Sequence, residues 1–230
     1  MKAILFDIDG TLVRCHGAGK AALMQAAIDV FGTFGSMEKV DFQGKTDPII
    51  LHESLTMRGF DEKTIAENTE KLKEKYFSYL NKNMYEYEVT LLPGIQEILY
   101  AVYNASNVLP GLLTGNFREG ARIKLHRFGL NSFFRFGAFG EDAPERNGLP
   151  LVARERIKEE LGAEIDYNDM VIIGDTVHDI ACARHVGAVS VAVGTGWTDR
   201  EILLSRNPDY YFDDMSDTGK ILDAIVNGGG

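Results

Sequence analysis

The chain has 230 residues, 45% hydrophobic and 25% charged, which suits one large globular domain or a core with a smaller companion. Its 24 basic and 34 acidic residues leave a net charge of −10, which argues against a nucleic-acid-binding surface. Cys15 and Cys182 are too few for a disulfide framework or a paired-cysteine zinc site, and no stretch reaches the ~20 apolar residues of a membrane span.

The first element is AILF (3–6), a short apolar run that reads as a buried strand and ends in DIDGT (7–11). Residues two apart share a face in a strand, so a continued strand would crowd Asp7 and Asp9 together. Close carboxylates repel and desolvation raises their pKa, so a positive charge is expected between them. The apolar run is too short for a signal peptide, and a cytoplasmic enzyme is the expectation.

Residues 14–92 carry helical periodicity over 19–31, 48–59 and 61–84, with Asp61 placed as an N-cap. They read as an all-helical cap inserted after the first strand and bounded by LLPG (91–94), which leaves 1–13 and 93–230 as the core. Further along, GLLT (111–114), MVIIG (170–174) and VSVAV (189–193) read as buried strands separated by helical patterns, such as the one over 117–129. This alternation predicts an α/β fold, a Rossmann-like parallel sheet with helices on both faces. Ligands of such sheets bind beyond the carboxyl ends of the strands, where Asp7, Thr114 and Asp175 fall. Pro110 is awkward in a central strand, so that strand is expected to start after it or to be distorted there. The GGG run at 228–230 is expected to be a disordered end or a cloning remnant.

Four segments in order, DIDGT (7–11), LLTGN (112–116), ERNGLP (145–150) and GDTVHDIACARHVGA (174–188), resemble the haloacid dehalogenase-like hydrolases. The resemblance runs through the whole chain, and GKTD (44–47) makes it similar to the phosphoglycolate-phosphatase-like branch with a helical cap. It implies a phosphatase of small phosphorylated metabolites. The alternative is a phosphotransferase of the sugar-phosphate mutase type, which shares the same acids.

The residues fit that chemistry. A carboxylate, Asp7, can attack phosphorus and form an aspartyl-phosphate. Acids repel phosphate, so a hard divalent cation with oxygen ligands, Mg2+, is expected between them, with Asp175 as a second ligand. The resemblance implies the Asp9 carbonyl as a third, which leaves the Asp9 side chain to protonate the leaving oxygen and later to deprotonate water. Thr114, Gly115 and Asn116 suit a phosphate oxygen at a helix start, or a plain N-cap. No KP-type lysine signature occurs, so Arg146 is chosen for the cation beside the nucleophile, with Lys124 as the fallback because it lies deep in a helix. Asp179 is expected to support the metal shell or to complement the helix dipole. Lys45 either contacts the substrate's non-reacting part, or its neighbours Thr46 and Asp47 merely cap a helix. Arg14, His16 and Arg118 are weaker candidates, His178 is expected to face solvent, and Trp197 to pack a loop.

Overall fold

The computed structural model describes residues 1–227, and the glycine run at 228–230 lies outside the described residues. Six strands form the main sheet: β1 (Lys2–Phe6), β4 (Val108–Leu113), β5 (Phe136–Ala138), β6 (Met170–Gly174), β7 (Val189–Val193) and β8 (Tyr210–Phe212). Their order is β5-β4-β1-β6-β7-β8, with every pairing parallel. β1 is therefore central, and alternate residues of it enter different cores. Ile4 and Phe6 pack into one hydrophobic cluster, Ala3 and Leu5 into the other, and all four are fully buried. A strand buried on both faces needs a continuous apolar run, which is what AILF supplies.

Helices cover both faces. α4 (Ile95–Asn104) and α5 (Arg118–His126) add Ile98, Leu99 and Leu125 to the first cluster. α6 (Leu149–Leu161) and α7 (Val177–Val186) add Ala153, Ile157 and Ala183 to the second. Between β1 and β4 lie α1 (Ala18–Phe31), α2 (Asp47–Thr56) and α3 (Glu62–Glu86). Asp61 caps α3, its carboxylate accepting from the Thr64 N–H at 2.7 Å. Leu23, Ala26, Leu72 and Leu80 of this insert join the first cluster, each Leu stabilising by about 1.5–3 kcal/mol on burial.

Two details depart from the sequence reading. β4 runs straight through Pro110, which is in register with Ile4. The proline is accommodated because β5 pairs with β4 only from Gly111 onward, so one edge of β4 beside Pro110 has no partner strand. The entry and exit of the insert also pair as a short antiparallel ribbon, β2 (Val13–Arg14) with β3 (Thr90–Leu91). Two-residue strands, like the three-residue β5 and β8, are too short to show a period. Cys15 and Cys182 are both buried and free, in different clusters. Among the described residues no helix is long and apolar enough to cross a membrane.

Candidate active site

β4, β1 and β6 are neighbours, so the residues after their carboxyl ends, Thr114, Asp7 and Asp175, meet at one rim of the sheet. The Asp7 N–H donates to the Ile173 carbonyl at 2.9 Å, which extends the pairing of β1 with β6 by one residue. After Asp7 the chain leaves the strand, and the N–H groups of Leu12 and Val13 fold back to the Ile8 carbonyl at 2.9 and 3.0 Å. Gly10 makes this possible with a left-handed φ of +83°, and a Cβ there would lie 2.4 Å from an Asp175 carboxylate oxygen.

That turn separates the two acids. Asp7 faces Arg146, whose Nη2 lies 3.3 Å from Asp7 Oδ2 and 2.5 Å from Asp179 Oδ1. Asp9 faces Lys124, whose Nζ lies 2.6 Å from Asp9 Oδ2 and 2.6 Å from Asn116 Oδ1. Asn116 Nδ2 donates to Asp9 Oδ2 and to the Thr114 hydroxyl, each at 2.8 Å. Each acid of DIDGT thus has its own buried cation.

Asp7, Asp175 and Asp179 place carboxylate oxygens within 4.8 Å of one another, all buried. Burial lifts Asp7 to about 6 against the pull of Arg146. Burial, then the charges of Asp179 and Asp7, push Asp175 well above the carboxylate range. Three crowded acids with one arginine are short of positive charge, and their all-oxygen donor set fits a hard divalent cation. Asp179 also accepts from the Thr176 N–H at 3.0 Å and the Thr176 hydroxyl at 2.7 Å, a capping box that meets the expected role at the start of α7.

Asp9 behaves differently from Asp7. Burial alone would raise it, but Lys124 by charge and hydrogen bond, with Asn116, outweighs that and holds its carboxyl below the ordinary value. Lys124, named from the sequence as the fallback cation, is the charge that does this. Lys124 itself stays charged, since its attraction to Asp9 overcomes the effect of burial. The objection that it lies too deep in its helix fails. Gly120 and Ala121 share its buried face, and its Nζ reaches Asp9 Oδ2 at 2.6 Å.

The cleft over these groups measures about 460 Å³ and is lined by every expected site residue except Asp179, which stands behind Arg146: Asp7, Asp9, Lys45, Thr114, Gly115, Asn116, Arg146 and Asp175. The insert closes one side. Lys45 lines the cleft with its ammonium 2.6 Å from Glu53 Oε2, and Thr46 caps α2 by accepting from the Ile49 N–H at 3.4 Å. Asp47 does more than cap. Its N–H donates to the Gly115 carbonyl at 2.7 Å and its half-buried carboxylate accepts from the Phe117 N–H at 2.9 Å. Burial pushes that carboxyl up to about 6. A Cβ on Gly115 would sit 2.3 Å from the Lys45 carbonyl, so the glycine permits this close contact.

The weaker candidates divide. His16 lines the cleft; Arg14 and Arg118 do not, Arg14 donating to the Thr195 carbonyl and Arg118 standing 4.5 Å over the Phe139 ring. His178 is exposed, as expected. Trp197 is not a packed loop residue: it is 53% exposed at the cleft edge, with Arg14 5.6 Å from its ring.

A family model described as haloacid dehalogenase-like hydrolase matches residues 4–193. The chain is similar to the phosphoglycolate phosphatase of Synechococcus elongatus, 27% identical over 224 residues that cover 94% of this chain and 95% of that one. It is also similar to pyrophosphatase PpaX of Oceanobacillus iheyensis, at 25% identity and 94% coverage of both. A solved hydrolase from Pseudomonas syringae shares the fold, with a TM-score of 0.70 at 22% identity over 98% of this chain and 99% of that one.

Proposed function

The chain belongs to the haloacid dehalogenase-like hydrolase family, and we propose that it is a Mg2+-dependent phosphatase of a small phosphorylated metabolite, working through an aspartyl-phosphate on Asp7. The observation that carries this reading is the meeting of Asp7, Asp175 and Asp179 with Arg146 at the rim of the sheet, beside Thr114. In the proposed reaction an Asp7 oxygen forms a bond to phosphorus as the bond to the leaving oxygen breaks, and Asp9 passes a proton to that oxygen. Water then attacks the aspartyl-phosphate, Asp9 takes its proton, and inorganic phosphate and free Asp7 are released.

The incoming phosphoryl group adds negative charge next to Asp9, which opposes the lowering imposed by Lys124 and favours proton uptake. Thr114, Gly115 and Asn116 receive phosphoryl oxygens at the start of α5. Arg146 offsets the charge that builds on the phosphoryl group. Mg2+ would be held by Asp7, Asp175 and the Asp9 carbonyl with Asp179 adjoining, and supplies the positive charge that lets a dianion approach these acids. Residues 14–92 act as a cap over the core of 1–13 and 93–230, excluding water from the site.

The test is phosphate release from a panel that includes 2-phosphoglycolate, pyrophosphate and sugar phosphates, with Mg2+ and with EDTA. Stoichiometric phosphate, lost with EDTA and with Asp7→Asn, is the expected result. Substrate loss without phosphate would mark a phosphotransferase, and an active Asp7→Asn would remove Asp7 as the nucleophile.

A further inference from the structure

Arg146 already serves Asp7, so the second buried cation, Lys124, has a separate task. Its side chain is 6% exposed and lies beneath the insert, where a Cβ on Gly19 would sit 3.5 Å from its Nζ. Lys124, Asp9 and Asn116 close a triangle of hydrogen bonds. Lys124 Nζ donates to Asp9 Oδ2 and Asn116 Oδ1, both at 2.6 Å, and Asn116 Nδ2 donates to Asp9 Oδ2 at 2.8 Å. Asn116 is braced in turn by its 2.8 Å bond to the Thr114 hydroxyl. Both donors fall on the same Asp9 oxygen, Oδ2. The other oxygen, Oδ1, takes part in neither bond.

We infer that Lys124 is a positioning residue that, with Asn116, anchors Asp9 by Oδ2 and thereby presents Oδ1 to the leaving oxygen of the substrate. This rests on the phosphatase reading and deepens it. With Oδ2 held by two donors, the carboxylate cannot swing about its χ2 bond, and the proton moves from Oδ1 to the leaving oxygen as the P–O bond breaks. Proton donation from a positioned acid contributes about 100-fold or more, and a misplacement of an ångström forfeits an effect of that order. The loss must depend on the leaving group. An alkoxide needs the proton; p-nitrophenolate does not.

The experiment compares kcat/KM for 2-phosphoglycolate and p-nitrophenyl phosphate in wild type and Lys124→Met, both with saturating Mg2+. The expected result is a loss of about 100-fold for the alkyl ester and less than about 5-fold for the aryl ester. Lys124→Gln puts a shorter, neutral amide in place of the ammonium, and should show the same selectivity at about 10-fold, which keeps the test open should Lys124→Met fold poorly. Equal losses on the two esters in either variant, or no loss at all, would overturn the inference while leaving the phosphatase reading intact. A wild type inert toward every ester of the panel would overturn the phosphatase reading, and the inference with it.

Discussion

Arg146→Met removes the cation that contacts both Asp7 and Asp179 while keeping most of the side chain's volume. At an effective dielectric of about 20, charges 3.3 and 2.5 Å apart attract by about 5 and 7 kcal/mol before desolvation is subtracted. The arginine is 7% exposed, so desolvation offsets much of that. What remains after the partner is removed is the cost of uncompensated buried carboxylates, about 3–5 kcal/mol. The assay is urea unfolding near neutral pH in EDTA, repeated with Mg2+. Wild type should be more stable than Arg146→Met by that amount in EDTA. The gap should narrow with saturating Mg2+, by about 1.4 kcal/mol for each tenfold by which the variant binds the ion more tightly than wild type, because both folded forms bind the cation and in the variant it also replaces the lost charge. Acid should narrow it too, since protonation neutralises the same groups. A gap below about 1 kcal/mol in EDTA, or one indifferent to Mg2+, would refute the reasoning.

Asp47 carries its own signature in pH. Its folded pKa of about 6 lies above the unfolded value near 3.8, so the folded state holds the extra proton and the wild type loses stability as pH rises from about 4 to about 6. Two units correspond to about 3 kcal/mol as an upper bound, and Asp47→Asn, which still accepts from the Phe117 N–H, should flatten that part of the pH–stability curve; an unchanged curve would count against a half-buried, destabilised carboxylate. Gly10→Ala forces a left-handed φ onto alanine and pushes its Cβ into Asp175, so melting should report a loss of about 1–3 kcal/mol together with weakened Mg2+ dependence of phosphate release. Asp175→Asn should raise the Mg2+ concentration needed for half-maximal turnover, and an unaltered requirement would remove Asp175 from the metal set.

The catalytic rim was legible because its carriers are local. Apolar runs that end in DIDGT, LLTGN and GDTVHD announce strand ends, and a parallel sheet needs its adjacent strand ends at one edge, so Asp7, Thr114 and Asp175 had to meet once β4, β1 and β6 lay side by side. Arg146 was harder, since a 3-10 turn (Arg146–Gly148) offers no period to read; the missing lysine signature alone pointed to it, and the structure places it beside Asp7. Asp47 looked like a first-turn acid of α2, and nothing nearby in sequence shows that its carboxylate is spent on the N-terminus of α5, 70 residues away.

Strand identity, the order of motifs and the kind of chemistry are written in short-range patterns, because side-chain period and turn chemistry act over a few residues. Which acid keeps its proton is a different matter. It depends on Coulomb and desolvation energies summed over groups that the fold assembles from distant segments, such as Lys124 beside Asp9 and Arg146 beside Asp7. Two aspartates one residue apart are alike in the chain. Only the folded environment, with Asp7 buried beside Arg146 and Asp9 half-buried beside Lys124, raises one carboxyl and lowers the other.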